Sequence, residues 1–401
     1  MRVLFVCLPR EGHLAPLLPI AQALLDVGHK VAFATAAGFI PQVVVAGFEA
    51  FPGGFEYDEW MGELAKVWES MPDHQSDYDE ILAAFGEHAF AGTVAMRLIQ
   101  DLPDVLKAWP ADLIVHEDLA LGAAIAAEQL GVPHARVMIL AAGPGQATYA
   151  HIDRAVARLR AAVGLSPASA AESLHPHLFL YPFPPSLLLP GMPVPAVLRP
   201  IRPALPNLTP DDKVPDWLVA MEKLRPLVYA TLGTVQNHPD NDGIFAALIA
   251  ALGAEPIDAV LTVGRDRDPA TFAHQPSNVR VMRFVSIAAL MPQCDAVVNH
   301  GGSGTVVAAL ACGLPQVILP LGADQFENAK RVAALGAAIV VDDATSADAI
   351  QAALHTVLSE PNYRLSAKRI QAEIEALPGP DEVVVLLERV AASYSRPPRR
   401  R

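Results

Sequence analysis

The chain has 401 residues and a mass of 42.6 kDa, with 52% hydrophobic and 18% charged residues. At about 150 residues per domain this length predicts two domains. The apolar content excludes a chain that is disordered throughout, because such chains lack the surface to bury. The 29 basic residues stand against 43 acidic ones, for a net charge of −14. A surface of that sign repels phosphate backbones and excludes general nucleic-acid binding.

The cysteines and the apolar runs indicate the compartment. Cys7, Cys294 and Cys312 form no CxxC pair, which argues against a secreted disulfide framework and against a zinc ribbon. No uninterrupted apolar run reaches the roughly 18 residues of a membrane span, and the first run is too short for a signal peptide. We therefore expect a soluble, cytoplasmic protein.

A strand, a helix and a second strand open the chain. Residues 3–6 are all apolar, as in a strand that is buried on both faces. Residues 17–27 carry apolar side chains at helical spacing, Gly28 ends that helix, and residues 31–35 form the next strand. The same order returns later, with a strand at 112–115, a helix at 121–130 and an extended run at 135–140.

Between these units, residues 57–71 predict a helix with a large apolar face. Trp60, Val67, Trp68 and Met71 lie on that face. Such a stripe usually packs into a core, and the alternative is the wall of a substrate pocket. The sequence leaves both interpretations open.

Prolines recur every few residues between 182 and 215. Proline removes a hydrogen-bond donor and fixes φ, so this stretch cannot be regular helix or central strand. We assign residues 196–225 to a linker between domains. The alternation then restarts, with strands at 227–232, 259–263, 296–298, 316–319 and 338–341 and helices at 241–252, 347–358 and 381–392.

This repetition predicts two Rossmann-like, doubly wound α/β domains that face a cleft. The N-terminal domain spans residues 1–195 and the C-terminal domain residues 226–380. Residues 381–401 form a last helix and a tail whose end, 396–401, is basic. We expect that tail to be disordered.

The loop after the first strand holds a candidate catalytic residue. Residues 8–13 contain one glycine where a dinucleotide fingerprint needs three, and the second strand ends without the acid that binds a ribose. His13 lies where open α/β sheets bind ligands, and a histidine can remove a proton from a hydroxyl near neutral pH. The alternative is a histidine that only caps the following helix.

The strongest signal is a glycine-rich turn. Residues 297–313 read VVNHGGSGTVVAALACG, which is a strand, a turn and the start of a helix. The glycine N–H groups and the helix N-terminus favour a phosphate, and His300, Ser303 and Thr305 add donors. The turn lacks the lysine of a P-loop, which disfavours an NTPase.

Two more polar groups follow strands in the same half of the chain. Residues 231–234 read TLGT and offer a second backbone cradle. Asp324 and Gln325 place a carboxylate beside an amide after a strand. Together these side chains accept and donate hydrogen bonds on neighbouring atoms, which suits sugar hydroxyls.

With these residues the chain resembles a known family. Gly12-His13, TLGT at 231–234, HGGSGT at 300–305 and Asp324-Gln325 resemble the nucleotide-sugar-dependent glycosyltransferases of the GT-B fold, family 1 type. The resemblance is greatest to the actinobacterial branch that decorates antibiotics and other natural products. It implies an inverting, metal-independent hexosyltransferase that moves a sugar, here a deoxyhexose, from a dTDP- or UDP-sugar to a hydroxyl of a small hydrophobic aglycone. It also implies no cofactor beyond the nucleotide sugar and a last helix that crosses back to the N-terminal domain, and it leaves a homodimer open.

The resemblance assigns roles to individual residues. His13 would be the general base, oriented by Glu117 or Asp118, and the sequence does not decide between the two acids. In the donor site Phe284 and Val285 would border the nucleotide base, while Asp324 and Gln325 would hold the sugar. The diphosphate would contact His300, Gly302, Ser303, Gly304 and Thr305. The other donor-binding residues would be Thr231, Gly233, Thr234 and Gly301, and the acceptor would contact Gly12, Trp60, Trp68 and Met138.

Competing interpretations are weaker. Residues 240–242 and 266–268 match the DxD metal motif of the other major glycosyltransferase fold, but both lie in polar, loop-like stretches. His175 and His177 have no third zinc ligand at a suitable spacing, so we expect no metal. A sugar-nucleotide epimerase of the same fold and a non-catalytic, nucleotide-sugar-binding activator remain as alternatives. The presence of His13 argues against the activator.

Overall fold

The computed structural model describes residues 1–70, 84–143, 146–174, 177–192, 194–203, 216–219, 224–234, 237, 239–272 and 275–394. The chain divides into two compact units. The first contains residues 1–182, 189–202 and 378–401, and the second contains residues 183–188 and 203–377.

The first unit is built on a seven-stranded sheet in which every pairing is parallel. Its spatial order is β3-β2-β1-β4-β5-β6-β7. The strands are β1 Arg2–Val6, β2 Lys30–Thr35, β3 Glu49–Pro52, β4 Leu113–Glu117, β5 His134–Val137, β6 Phe179–Tyr181 and β7 Leu198–Pro200. The helices are Glu11–Leu14, Leu18–Asp26, Ile40–Val45, Tyr57–Ser70, Ala95–Ala108, Leu121–Leu130, Gln146–Ala162, Ala170–Leu174 and Pro380–Ser393, with a π-helical segment at Phe85–Val94.

The second unit repeats this plan with six parallel strands in the order β10-β9-β8-β11-β12-β13. The strands are β8 Leu227–Thr231, β9 Asp258–Thr262, β10 Val279–Met282, β11 Ala296–Asn299, β12 Gln316–Ile318 and β13 Ala338–Val340. The helices are Asp216–Val219, Asp242–Ala254, Ile287–Leu290, Ser303–Ala311, Gln325–Ala334, Ala347–Ser359 and Pro361–Glu375.

Apolar side chains cover both faces of each sheet. Val3, Leu4, Phe5 and Val6 of β1 are completely buried, alternately in two different core clusters. Burial on both faces explains why the central strands are continuous apolar runs. The arrangement confirms the predicted pair of doubly wound α/β domains.

The last helix belongs to the first unit. Val383, Leu387 and Val390 of helix Pro380–Ser393 pack in the same core cluster as Leu24 and Phe33. His29 Nε2 also contacts Glu388 Oε1 at 2.9 Å. The predicted return of the terminal helix to the N-terminal domain is therefore confirmed.

Strand order reverses once in each sheet. In the first sheet β1 lies between β2 and β4, and in the second β8 lies between β9 and β11. Ligands bind outside the carboxyl ends of the strands at such switch points. The short helix Glu11–Leu14, which holds His13, follows β1, and the glycine-rich turn follows β11, so both candidate sites lie at switch points.

Several elements differ from the sequence interpretation. Strand β7 lies inside the range 196–225 that the prolines had assigned to the linker, and as an edge strand paired only with β6 it tolerates proline. Strands β3, β6 and β10 were not predicted. Met71, residues 204–215 of the expected linker and the basic tail 396–401 lie outside the described residues.

Candidate functional site

The first candidate site is a histidine–carboxylate pair after two neighbouring strands. Because Val6 of β1 is paired with His116 of β4, the loop after β1 lies next to the end of β4. His13 Nδ1 and Glu117 Oε1 are 3.0 Å apart. The Leu119 N–H donates to Glu117 Oε2 at 2.6 Å and the Leu8 N–H to Oε1 at 3.3 Å. Both Glu117 oxygens are thus occupied by donors.

These contacts determine the charge of Glu117 and which nitrogen of His13 carries the hydrogen. Burial would raise the pKa of Glu117, but the His13 imidazole and the two backbone N–H groups outweigh it and hold that pKa below its usual value. An ionised carboxylate only accepts hydrogen bonds. Nδ1 of His13 therefore carries the hydrogen, and Nε2 keeps the lone pair that a general base needs.

The second acid that the sequence left open faces a different partner. Asp118 Oδ1 lies 2.5 Å from Nη2 of Arg136, and both side chains are buried. Arg136 also donates to the Asp118 carbonyl at 3.2 Å. Glu117, not Asp118, is the acid that contacts His13.

The predicted acceptor residues are distributed unevenly. Trp60 is buried, and its ring meets that of His13 edge-on, with centroids 5.7 Å apart. Its Nε1 is buried with no hydrogen-bond partner among the described residues. Gly12 and Trp68 are exposed, whereas Met138 is completely buried and offers no surface to a ligand in this structure. Trp60 thus places an aromatic ring beside His13.

Other aromatic rings surround Trp60. Tyr57 and Phe90 lie edge-on to it, with centroids 6.1 Å and 5.8 Å away. The Arg10 guanidinium lies 3.7 Å from the centre of the Tyr57 ring and donates to the Tyr57 hydroxyl. Sequence reasoning missed Arg10, although it directly precedes the short helix Glu11–Leu14 that holds His13.

The second candidate site is centred on His300, which follows β11. The His300 ring is 8% exposed and lies over two backbone segments. A Cβ on Gly233 would come within 2.5 Å of the ring, and so would a Cβ on Gly302. The ring therefore requires glycine at both positions, which explains two glycines that the sequence had assigned to donor binding.

The chemistry of His300 suits a hydrogen-bond donor to an anion. Burial lowers its pKa to about 4, so the imidazole is neutral at pH 7 and carries one N–H. Its Nδ1 is buried and has no partner among the described residues. Helix Ser303–Ala311 begins directly after Gly302, and the first N–H groups of a helix have no partner within it. A neutral donor beside a helix N-terminus is a suitable arrangement for phosphate oxygens.

Buried amides hold the glycine-rich turn in place. The Gly301 N–H donates to Asn299 Oδ1 at 2.8 Å, and Asn299 Nδ2 donates to Gln316 Oε1 at 2.8 Å. Gln316 in turn donates to the Val306 carbonyl at 3.2 Å. Sequence reasoning missed Asn299 and Gln316, because an amide inside a strand gives no sign of its partner. It also counted Gly301 as donor-binding, but the Gly301 N–H is already engaged.

The two predicted sugar-binding residues begin the next helix. Asp324 Oδ2 accepts hydrogen bonds from Ser303 Oγ at 2.6 Å and from Asn328 Nδ2 at 2.7 Å. Gln325 Oε1 accepts from the N–H groups of Leu321 and Gly322 at 2.8 and 3.0 Å. Asn328 was not predicted from the sequence.

The remaining predicted donor residues lie around β8 and after β10. Thr231 Oγ1 accepts from the Gly233 N–H at 3.1 Å and from Thr262 Oγ1 at 3.0 Å, which fixes the 231–234 turn. Phe284 is exposed, and the centre of its ring lies 3.7 Å from the Arg265 guanidinium carbon. Three residues complete the set. Thr234 is exposed, Val285 is buried, and Gly304 has open space at its Cβ position.

One aspartate of each DxD sequence has a partner other than a metal. Asp242 pairs with Arg267, and Asp268 lies 3.6 Å from Arg283 and caps the backbone at Ala270. Within the described ranges, His, Cys, Asp and Glu side chains form no group of three or more that could hold a metal ion. His175 lies outside those ranges. In the same part of the chain, no helix has both the length and the apolar character needed to cross a membrane.

Comparison with known protein families gives two matches. The model described as "Erythromycin biosynthesis protein CIII-like, C-terminal domain" matches residues 246–390, and its N-terminal counterpart matches residues 22–164. Each match lies mainly within one of the two units described above.

Individual proteins match over nearly the whole chain. The L-demethylnoviosyl transferase of Streptomyces niveus is 32% identical over 398 residues, covering 98% of this chain and 98% of the relative. The 10-deoxymethynolide desosaminyltransferase of Streptomyces venezuelae is 30% identical and covers 99% of both chains. Among solved structures, the glycosyltransferase VinC in complex with dTDP has a TM-score of 0.79 at 26% identity, over 98% of this chain and 100% of that one.

Proposed function

Because the chain belongs to the EryCIII-like family of actinobacterial GT-B glycosyltransferases, we propose that it transfers a deoxyhexose from a dTDP-sugar to a hydroxyl of a small hydrophobic aglycone. The membership confirms the resemblance that the motifs indicated. Glycosyltransferases of this family are inverting, metal-independent enzymes that use a nucleotide-sugar donor and no cofactor.

Three observations on relatives support the choice of substrates. The names of the two transferases describe the transfer of demethylnoviose and of desosamine, and the second names 10-deoxymethynolide as the acceptor. The related VinC structure contains dTDP. These support a dTDP-deoxysugar over a UDP-sugar for this chain. A cytoplasmic location and a homodimer remain part of the proposal.

In the proposed mechanism His13 is the general base. The acceptor hydroxyl gives its proton to Nε2 of His13 as its oxygen attacks the anomeric carbon from the face opposite the diphosphate. The bond from that carbon to the diphosphate oxygen breaks, and the configuration inverts. The contact of 3.0 Å between His13 and Glu117 supports this role, because the carboxylate stabilises the imidazolium that forms.

The departing diphosphate requires stabilisation from the second unit. We assign this to the N–H groups at the start of helix Ser303–Ala311 and to the neutral His300. The N–H groups are fixed by the turn, so they need no reorganisation as charge develops on the leaving group. These N–H groups would supply the positive potential that a metal ion provides in other transferases.

The other two functions have less support. A non-catalytic activator has no need of a base, and the His13–Glu117 pair has the geometry of one. An epimerase needs no acceptor aglycone, whereas the related desosaminyltransferase is named for one.

One experiment tests the proposal directly. The protein is incubated with a dTDP-deoxyhexose and a panel of macrolide and aromatic aglycones, and the anomeric configuration of any product is determined by NMR. We expect a glycoside of inverted configuration. Hydrolysis or epimerisation of the donor with every aglycone, or a product of retained configuration, would refute the proposal.

A further inference from the structure

A hydrogen-bonded cluster in the second unit connects the glycine-rich turn to the predicted sugar-binding acid. Asn328 is 1% exposed, and its Nδ2 donates to Asp324 Oδ2 at 2.7 Å, Gly301 O at 2.9 Å and Ser303 Oγ at 3.1 Å. Ser303 Oγ donates to the same Asp324 oxygen at 2.6 Å. Residues from the turn and from the first turn of helix Gln325–Ala334 thus converge on one carboxylate oxygen.

We propose that Ser303 and Asn328 are positioning residues for the donor sugar, and that the Ser303 hydroxyl serves the sugar subsite rather than the diphosphate. The inference rests on the proposed function, which assigns Asp324 to the sugar. It also replaces the role that the family resemblance gave to Ser303.

The direction of the Ser303 proton follows from the partners of its oxygen. The Asn328 amide can only donate to Ser303 Oγ, and the Asp324 carboxylate can only accept from it. The hydroxyl hydrogen of Ser303 therefore points at Asp324. A phosphate that took this hydrogen would have to break a short hydrogen bond to a charged acceptor, which is among the stronger bonds in proteins.

The neighbouring glutamine is fixed in a complementary orientation. Because Gln325 Oε1 accepts from Leu321 and Gly322, its Nε2 is the group that can donate to a ligand. Ala323, between these loop residues and Asp324, has a φ of 52°, which a residue other than glycine adopts only where its surroundings impose it. The loop thus presents a carboxylate and an amide donor side by side, with both side chains held by hydrogen bonds.

Loss of the Ser303 hydroxyl has a defined consequence in this arrangement. Asp324 Oδ2 would keep the Asn328 donor and lose the Ser303 donor, so the carboxylate could rotate away from its position. Sugar binding would weaken, while the backbone N–H groups that face the diphosphate would be unchanged. The variant therefore separates the two subsites.

Calorimetry on the full chain measures this separation. The Kd values of dTDP and of dTDP-glucose are determined for the wild type, Ser303→Ala and Ser303→Thr, and Thr305→Val is the matched control on the same helix. We expect Ser303→Ala to leave the Kd of dTDP within twofold and to raise the ratio of the dTDP-glucose Kd to the dTDP Kd about tenfold, the range for a hydrogen bond to a charged group. Ser303→Thr keeps the hydroxyl and should restore the wild-type ratio. Thr305→Val should raise both Kd values and leave the ratio unchanged.

A second variant covers the other positioning residue. Asn328→Asp keeps the size of the side chain but places an acceptor against Asp324, so it should raise the same ratio. An equal rise of both Kd values in Ser303→Ala would assign its hydroxyl to the diphosphate and overturn the inference, as would a ratio that neither variant changes. Failure of the wild type to bind dTDP at all would instead refute the proposed function.

Discussion

Two consecutive acids follow β4, and their side chains have different partners. Glu117 faces His13 and accepts two backbone N–H groups, whereas Asp118 faces Arg136. Successive residues of an extended chain point to opposite sides, so one acid is available to the loop after β1 and the other is not. The two acids should therefore respond differently to substitution.

We predict that Glu117→Gln lowers turnover by about 10²-fold or more, because a neutral amide does not stabilise the imidazolium of His13. Asp118→Asn, the matched control, leaves Arg136 buried without its counter-ion and should lower the melting temperature more than turnover. Steady-state kinetics and thermal unfolding of both variants separate the two effects. A large loss of turnover in Asp118→Asn with near-normal turnover in Glu117→Gln would reverse the assignment.

A substitution at Gly302 tests the role of the His300 ring and introduces no backbone strain. Its φ of −63° is open to any residue, and the nearest obstacle to a side chain is the ring, whose Nε2 would lie 2.5 Å from the added Cβ. Gly302→Ala should displace His300 and weaken dTDP binding about tenfold, the range for loss of a hydrogen bond to a charged group. Gly243→Ala, where the Cβ position is open, is the control. Wild-type affinity for dTDP in Gly302→Ala would contradict the assignment of His300 to the diphosphate.

Helices Ala95–Ala108 and Leu121–Leu130 are in backbone contact at Gly122. A Cβ on Gly122 would lie 2.1 Å from the Ala95 carbonyl oxygen and 2.8 Å from its Cα. The obstacle is backbone, which cannot rotate away as a side chain can. The small residues of the second helix, which is buried from Leu121 to Ala127, allow this contact.

Gly122→Ala should therefore destabilise the first unit, by about 1–3 kcal/mol or more, through overpacking. The control is Gly62→Ala, in a helix with open space around the Cβ position, where alanine should be neutral or stabilising because it restricts the unfolded chain. The midpoint of urea unfolding measures both. An unchanged midpoint for Gly122→Ala would show that the two helices separate without cost.

The central strands β1, β4, β8 and β11 could be predicted from the sequence, as could the edge strand β13, whereas the edge strands β3, β7 and β10 and the interior strand β6 could not. β1, β4, β8 and β11 are buried on both faces, so each contains an apolar run of at least three residues. The edge strand β3 reads Glu-Ala-Phe-Pro and is only partly buried, so its pattern does not differ from that of a loop. An edge strand depends on its neighbour for hydrogen bonds, and that neighbour is not visible in local sequence.

The candidate sites were predictable to a similar extent. The histidines and the glycine-rich turn carry strong local patterns, and the structure places them at the two switch points. The choice between Glu117 and Asp118, and the roles of Asn299 and Asn328, depend on which side chains the register of the sheet brings together. His13 and Glu117 are 104 positions apart in sequence, so their contact is a property of the fold.

In the part of the chain that the structure describes, each of the two units contains a deeply buried histidine that is neutral at pH 7. Burial is the main cause that lowers the pKa of His116, in the first unit, and of His300, in the second, from 6.5 to about 4. In the unfolded chain both residues take up a proton near pH 6.5, while in the folded chain they remain neutral down to about pH 4. The unfolded state therefore binds more protons in this window.

It follows that the free energy of unfolding should fall as the pH is lowered from 6.5 towards 4, by up to about 3 kcal/mol for each histidine. The depressed pKa of Glu117 acts in the same direction below its ordinary value of 4.5, because its stabilisation is lost as the carboxylate becomes protonated. Urea midpoints at pH 7, 6 and 5 measure the trend. His300→Gln should flatten the dependence, since glutamine does not titrate, and a midpoint that is the same at pH 7 and pH 5 in the wild type would contradict the assignment of neutral buried histidines.

The central claim is that His13 is the base of a transfer reaction whose donor is held by residues of the second unit. The most direct test is the turnover of His13→Ala on an alcohol acceptor together with its Kd for dTDP. Because general base catalysis contributes about 10²- to 10⁴-fold, we predict a loss of turnover in that range or larger, with the Kd for dTDP within a few-fold of wild type. Turnover by His13→Ala close to that of the wild type would contradict the account.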